Sequence, residues 1–515
     1  MAPHFNLAYE PWIPCIQADG QAIDLSLRDA LVEAHELQEL AGDSPLVTAA
    51  LYRLLLAVLH RIFGPPGSDA WESLWQAGRW DAERIDVYLA TWQHRLDLFG
   101  SERPFYQAAD QRVKPKSISS LVHEFASGNN ATLFDHHMDN EDIWLAPAQA
   151  ARLLVTAQSF GLAGLSGLPQ KFTDGPCARG VIFLVQGNTL FESLALNLVR
   201  YPDDRFFVQR SGDRLAWEMD DPHIPERGVP LGYLDYLTWQ NRRILLLPAS
   251  ESGAVGVRQM TMAPGLRLDA GVLDTMKHYR KDEKRGPLPL RFNEDRALWR
   301  DSAALFKLHS GGWRPPVTFD WLAELVHMDV LSKTLSERTL ALGMANHQAK
   351  VKFYRSERLA LPLAYLQERS LVESLDTALG MAEDVGHKLW GAGRRLATYL
   401  LSPVADAPDA RQPKREDMDR VMGPWGIERI YWSRLEVEFR TTMERIPRDS
   451  EGSLDAWQTV LQRTAWDAIE HAARLVGTDP RGFKAIVRAR EQLALGLSRL
   501  FPRDDRQDVL AESSL

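Results

Sequence analysis

Residues 371–389 read LVESLDTALGMAEDVGHKL, and Leu371, Leu375, Leu379, Ala382, Val385 and Leu389 recur three or four positions apart. That period puts them on one face of an α-helix. The same spacing returns at Leu435, Phe439, Met443 and Ile446, at Leu454, Trp457, Leu461 and Ala465, and at Phe483, Ile486, Leu493 and Leu497. Breaks fall at 402–413, 447–453 and 477–481, where Pro, Gly and polar residues gather. Four amphipathic helices with three connections predict a four-helix bundle over 367–515.

The 515 residues exceed a single hydrophobic core. Ahead of the bundle, residues 1–366 read as one large mixed α/β domain, so the expected class is α+β. The chain opens as strand, turn, strand, with Asp19-Gly20 as a hairpin signal. Residues 45–63 are strongly helical, entered at Pro45 and stopped by Gly64-Pro65-Pro66-Gly67. Trp71, Trp75, Trp80 and Trp92 fall on two further helical stretches, spaced for a buried face. Residues 100–145 are irregular, as a functional loop would be. A helix from Pro147 then ends in GLAGLSGLPQK, and strand candidates follow at 181–187, 243–248 and 256–269.

The net charge of −9 and pI near 5.9 argue against coating nucleic acid through bulk charge. Local basic stretches remain. Residues 271–300 carry Lys277, Arg280, Lys281, Lys284, Arg285, Arg291, Arg296 and Arg300 against five acids, and 341–360 carry Lys350, Lys352, Arg355 and Arg358 against Glu357 alone. The plain reading of each is a solvated surface. No uninterrupted apolar run of membrane-spanning length and no signal peptide is read, so no membrane is expected. Cys15 and Cys177 cannot build a disulfide framework or a four-cysteine zinc site, which fits a reducing cytoplasm.

Only DHHMDNED (135–142) suggests a metal-dependent phosphoesterase, with Asp135, His136, His137 and Asp139 as ligands. Adjacent histidines do not converge on one ion in a helix or a strand, so no metal is expected. Gly161, Gly164 and Gly167 could cradle a phosphate, but the loop lacks a GK[ST] ending and no strand precedes it. A helix C-terminus with a glycine turn is the default, and such a turn also lets backbone press closely onto a ligand. No nucleophile elbow, Walker motif or dinucleotide fingerprint is found, so neither an enzyme nor a cofactor is expected.

Taken in order, NLAYEPWIP, RPFYQ (103–107), SGNNATLFDHH (127–137), FGLAGLSG, YLTWQNRRILLLP (236–248), MKHYRKDEKRGPLPLRF (276–292) and NHQAKVKFYRSER (346–358) resemble the CasA family. CasA is the large subunit of the type I-E CRISPR surveillance complex, Cascade. The resemblance covers essentially the whole length. It implies a non-catalytic subunit that reads a short protospacer-adjacent motif (PAM) in double-stranded target DNA while guide RNA reads the rest. It further implies that the subunit starts the R-loop and recruits a helicase-nuclease.

By resemblance, Asn346, His347, Gln348 and Ala349 form a wedge at the first target base pair. Gly161, Ala163 and Gly164 approach the PAM backbone-first. Leu133, Phe134 and Asp135 dock at the guide RNA. Lys350, Lys352 and Arg355, with Lys277, Arg280, Lys281, Lys284 and Arg285, would contact the DNA backbone. Either Arg267 substitutes for the family's PAM-contacting lysine or the preferred PAM differs. The family's zinc-binding cysteines are missing from PASESGAVGVRQM, so no zinc is expected there. The rival readings are the phosphoesterase and a scaffold whose basic patches bind acidic proteins.

Overall fold

The computed structural model describes residues 3–122, 143–202, 207, 212–251, 253–307, 312–347, 350–402, 413–477 and 479–502, with only the backbone of His347 and Lys350. They form two compact units, Met1–Gln367 and Glu368–Leu515. The first mixes helices with four three-stranded sheets, and the second is helical. This is the α+β class read from the sequence.

The core of the first unit is built around helix Pro45–Phe63. Ser44 caps it by accepting the Val47 N–H, and Pro45 occupies its first turn, where a missing N–H costs nothing. It is the one helix among the described residues long and apolar enough to cross a membrane, but 89% of its apolar window is buried inside the protein. It is a core helix, and Arg53 interrupts the apolar run that the sequence would otherwise show.

Arg53 is itself buried. It donates to the carbonyls of Tyr236 at 2.9 Å and Leu237 at 3.1 Å and to the Asp274 carboxylate at 3.2 Å, while the Tyr236 O–H donates to Asp274 at 2.7 Å. Burial alone would raise the Asp274 carboxyl; Arg53, Lys277 and the Tyr236 hydroxyl outweigh it and hold the group below its usual range.

Four sheets surround this core. Ile13–Gln17 pairs antiparallel with Ala22–Leu25 through a turn in which Gly20 has φ +84°, as the Asp-Gly pair predicts. Arg242–Glu251 and Ala254–Pro264 form a second hairpin, flanked by Lys116–Ser117. The latter strand of the hairpin stops short of the expected residue 269. Gly265 lies so close to its neighbour that a Cβ would meet the Gln240 carbonyl at 2.5 Å, and the chain turns away there.

Ser336–His347 and Lys350–Pro362 form the longest hairpin, edged by Ile182–Gln186. In the fold Asn346 and the backbone of His347 end one long strand and Lys350 opens the next. Tyr279–Asp282 pairs with Gly286–Pro289 and with Trp313–Arg314.

In the second unit, Arg369–Leu401, Ile427–Arg445, Ser450–Leu475 and Pro480–Leu500 are the four long helices. A short helix, Arg415–Met422, precedes the second and was not anticipated. The Tyr431 O–H donates to the Ala382 carbonyl at 2.9 Å and the Trp457 indole to that of Ala378 at 2.8 Å, so each buried aromatic has its polar atom satisfied. A Cβ at Gly393 would meet Ile427 Cδ1 at 2.9 Å, so this glycine sets how closely the first two long helices approach.

Candidate nucleic-acid interface

Helix Pro147–Phe160 ends at Gly161, whose N–H donates to the Ala157 carbonyl at 3.0 Å. Beyond it the chain turns at Gly164 and Gly167 and returns through Phe172. Gly164 and Phe172 exchange both backbone hydrogen bonds, at 3.0 and 3.2 Å. At the tip Leu165 is 84% exposed.

Arg242 holds the two limbs together. Its guanidinium donates to the carbonyls of Leu162 at 2.8 Å and Thr173 at 2.9 Å, contacts the Asn241 amide oxygen, and lies over the Phe172 ring. Burial pulls this guanidinium down to about 10, opposed by Asp174, so it stays charged at neutral pH. The Asn241 amide donates to Thr173 Oγ1 at 3.0 Å and to the Leu266 carbonyl at 3.3 Å. Arg267, exposed and next in the chain, is thereby placed beside the loop's returning limb.

The glycines are not equivalent. A Cβ at Gly161 would sit 2.7 Å from the Ala157 carbonyl and 2.8 Å from Arg242 Nη2, whereas one at Gly164 meets nothing within 4 Å. The expectation that Gly161 approaches DNA is corrected: it is buried, and packing inside the protein explains its lack of a side chain. Ala163 and Gly164 stay at the partly exposed turn.

The long hairpin comes to the same region. A β-bulge falls between Ala345 and Asn346: Ala345 faces Phe353, Asn346 faces Val351, and Lys352 is the extra residue. Bulges twist a strand and re-aim the residues beyond them. Here two pairs, Asn346 with Val351 and His347 with Lys350, lie past the bulge. Gln348 and Ala349, like Leu133, Phe134, Asp135, His136, His137 and Asp139, lie outside the described residues, as do the side chains of His347 and Lys350. Arg179 links the hairpin to the loop. Its Nε donates to Asp174 Oδ2 at 2.8 Å and its Nη1 to the Asn346 side-chain oxygen at 3.5 Å, while Asp174 Oδ1 accepts the Ala163 N–H at 2.9 Å.

The basic stretches divide by burial. Arg280, Lys281, Lys284 and Arg285 are exposed on the Tyr279–Asp282/Gly286–Pro289 hairpin, whose turn is fixed by Asp282 accepting the N–H groups of Lys284 and Arg285. This hairpin is tied to the same area, because Val181, two residues from Arg179, donates its N–H to the Leu290 carbonyl at 2.9 Å.

Lys277 is a correction. It is 4% exposed and donates to the Pro176 carbonyl at 2.6 Å, so it cannot touch a phosphate. Burial lowers its ammonium from the usual lysine range, against the pull of Asp274. Arg355 is half-buried and already has partners within the protein. Its Nη1 donates to the carbonyl of Asn293 at 2.9 Å and to Glu357 at 3.3 Å, and its guanidinium lies over Phe353, so it pins residues 293–296 to the hairpin. Lys352 is exposed, with Glu294 at 3.8 Å. Among the described residues no three His, Cys, Asp or Glu side chains gather as a metal-binding group.

A profile of the CRISPR-associated protein Cse1 family matches residues 6–468. The chain belongs to the Cse1 family. Its similarity to the CRISPR-associated protein CasA/Cse1 of Thermus thermophilus is 34% identity, over 96% of this chain and 98% of the relative. The crystal structure of Cse1 from Acidimicrobium ferrooxidans superposes with a TM-score of 0.81 at 25% identity, over 96% of this chain and 98% of that one. A chain of a CRISPR RNA-guided surveillance complex shares the fold at TM-score 0.73 and 24% identity, over 95% and 99% of the two chains.

The Cse1 family is the one the ordered sequence segments pointed to. Arg179, Asp174, Asn241 and Arg242, which hold its candidate interface together, were not singled out from the sequence. The paired arginines of QNRR (240–243), opening a strand just after a buried helix, were the available signal for Arg242.

Proposed function

We propose that this Cse1-family chain is a non-catalytic, DNA-binding subunit of an RNA-guided CRISPR surveillance complex in the cytoplasm. It reads the PAM in target duplex DNA with the Ala163–Gly164 turn, assisted by Arg267. It opens the first target base pair with the turn between the long hairpin strands, and it recruits the helicase-nuclease once an R-loop has begun. Residues 133–135 dock it at the guide RNA. No cofactor is required.

The observation that carries this reading is the convergence of the glycine turn and the root of the hairpin turn through Asp174 and Arg179. A narrow backbone turn can enter a groove that side chains would block, and a wedge inserted at a base step unstacks it at a cost of about a few kcal/mol. Exposed cations nearby offset that cost by displacing counterions from phosphates. Binding of the assembled complex to duplexes with intact and scrambled PAM tests the reading. Gln348→Ala is expected to abolish the difference between the two duplexes; full PAM discrimination by this variant would refute the wedge.

A further inference from the structure

We infer that Arg179 is a positioning residue that couples the two duplex-reading elements, so that seating of the glycine turn sets the hairpin turn for base-pair opening. The inference rests on the function proposed above.

Three geometric facts carry it. First, the Asp174 carboxylate is shared: one oxygen accepts the Ala163 N–H at the glycine turn and the other accepts Nε of Arg179. A shift of the turn that carries the carboxylate with it moves the acceptor of the second bond. Second, the other arm of the guanidinium reaches the Asn346 side-chain oxygen at 3.5 Å, at the root of the hairpin turn and directly after the bulge. This is a loose bond that a small movement can make or break. The Asn346 amide nitrogen is buried and has no hydrogen-bond partner among the described residues, so the side chain is under-satisfied as it stands. Third, the backbone behind Arg179 is held on both sides. A Cβ at Gly343 of the hairpin would lie 3.1 Å from the Gly180 carbonyl, and one at Gly180 would lie 2.7 Å from Pro289. With its backbone wedged there, Arg179 can respond through its side chain.

A planar guanidinium with two divergent donors suits this relay, whereas a lysine ammonium is a single point that cannot span Asp174 and Asn346 in the same way.

The test uses the full chain in the assembled, guide-loaded complex with two target duplexes. One is fully paired. The other is mismatched at the first base pair beside the PAM, so that no opening is needed. Opening is followed by 2-aminopurine fluorescence and affinity by titration. Arg179→Ala is expected to lower affinity and opening about tenfold on the paired duplex and to leave affinity for the mismatched duplex within about twofold of wild type. Arg179→Lys is expected to show the same paired-to-mismatched ratio as Arg179→Ala, and it decides the matter if the alanine variant does not fold. Equal losses on both duplexes, or wild-type behaviour on both, would overturn the coupling. Gln348→Ala, run in parallel, separates the two levels. If it discriminates PAM normally, the wedge itself is wrong; if it fails while both Arg179 variants behave as wild type, only the coupling is wrong.

Discussion

The Arg242 guanidinium lies 4.7 Å from the centroid of the Phe172 ring while donating to the Leu162 carbonyl across the loop. The candidate PAM-reading turn is therefore braced from behind by a buried cation, and Gly161 and Gly164 should respond oppositely to substitution. Gly161→Ala presses a methyl group onto Arg242 and the Ala157 carbonyl, and it is expected to cost about 1–3 kcal/mol of stability. Gly164→Ala meets open space and should leave the melting temperature unchanged while weakening PAM-dependent binding at least about tenfold, or about 1.4 kcal/mol. Thermal unfolding and duplex titration of both variants check the contrast.

The exposed hairpin cations and the buried one also part company. Replacing Lys281, Lys284 and Arg285 together by alanine should make the salt dependence of duplex binding shallower, by about 0.9 in the log–log slope for each phosphate no longer neutralised. Lys277→Met should leave that slope unchanged, because its ammonium faces the Pro176 carbonyl inside the protein. Titrations across a range of salt concentrations measure both.

Arg53 and Asp274 form a buried ion pair, with both side chains almost wholly enclosed. Removing one partner strands the other's charge. Arg53→Leu is expected to destabilise the protein by about 3–5 kcal/mol, read by chemical denaturation. Arg53→Leu combined with Asp274→Asn should lose less than the sum of the two single variants.

Three buried histidines make the first unit acid-labile. Burial lowers His60 to about 3 and His223 and His278 to about 4. All three are neutral in the fold, whereas in the unfolded chain they protonate near pH 6.5. The stability these histidines contribute is therefore complete above about pH 6.5 and is lost as pH falls toward about 4, by about 1.4 kcal/mol per histidine per pH unit. His60→Leu should shrink the difference in stability between pH 7 and pH 5, measured by urea unfolding at each pH.

Local signals were legible in the sequence and long-range ones were not. The bundle could be read because Leu375, Val385, Leu435, Leu461 and Leu493 are buried by their own helical period, which is local information. Strand Ile182–Gln186 was legible for a similar reason, since its five residues are all buried and all apolar but the last. Lys277 was misjudged because a count of neighbouring cations ignores burial. Met276, His278 and Tyr279 around it, with Asp274 three positions before, were the better guide. The Asp174–Arg179–Asn346 relay could not be seen, because it joins residues 167 positions apart and depends on where the hairpin lands.

The proposed function stands or falls on residues 348–349 entering the duplex beside the PAM. A photo-crosslinking side chain at position 348, in the assembled complex on a PAM-containing duplex, tests it directly. Crosslinks to the first target base pair are expected, abolished when the PAM is scrambled. Crosslinks only to protein, or to DNA regardless of the PAM, would contradict it.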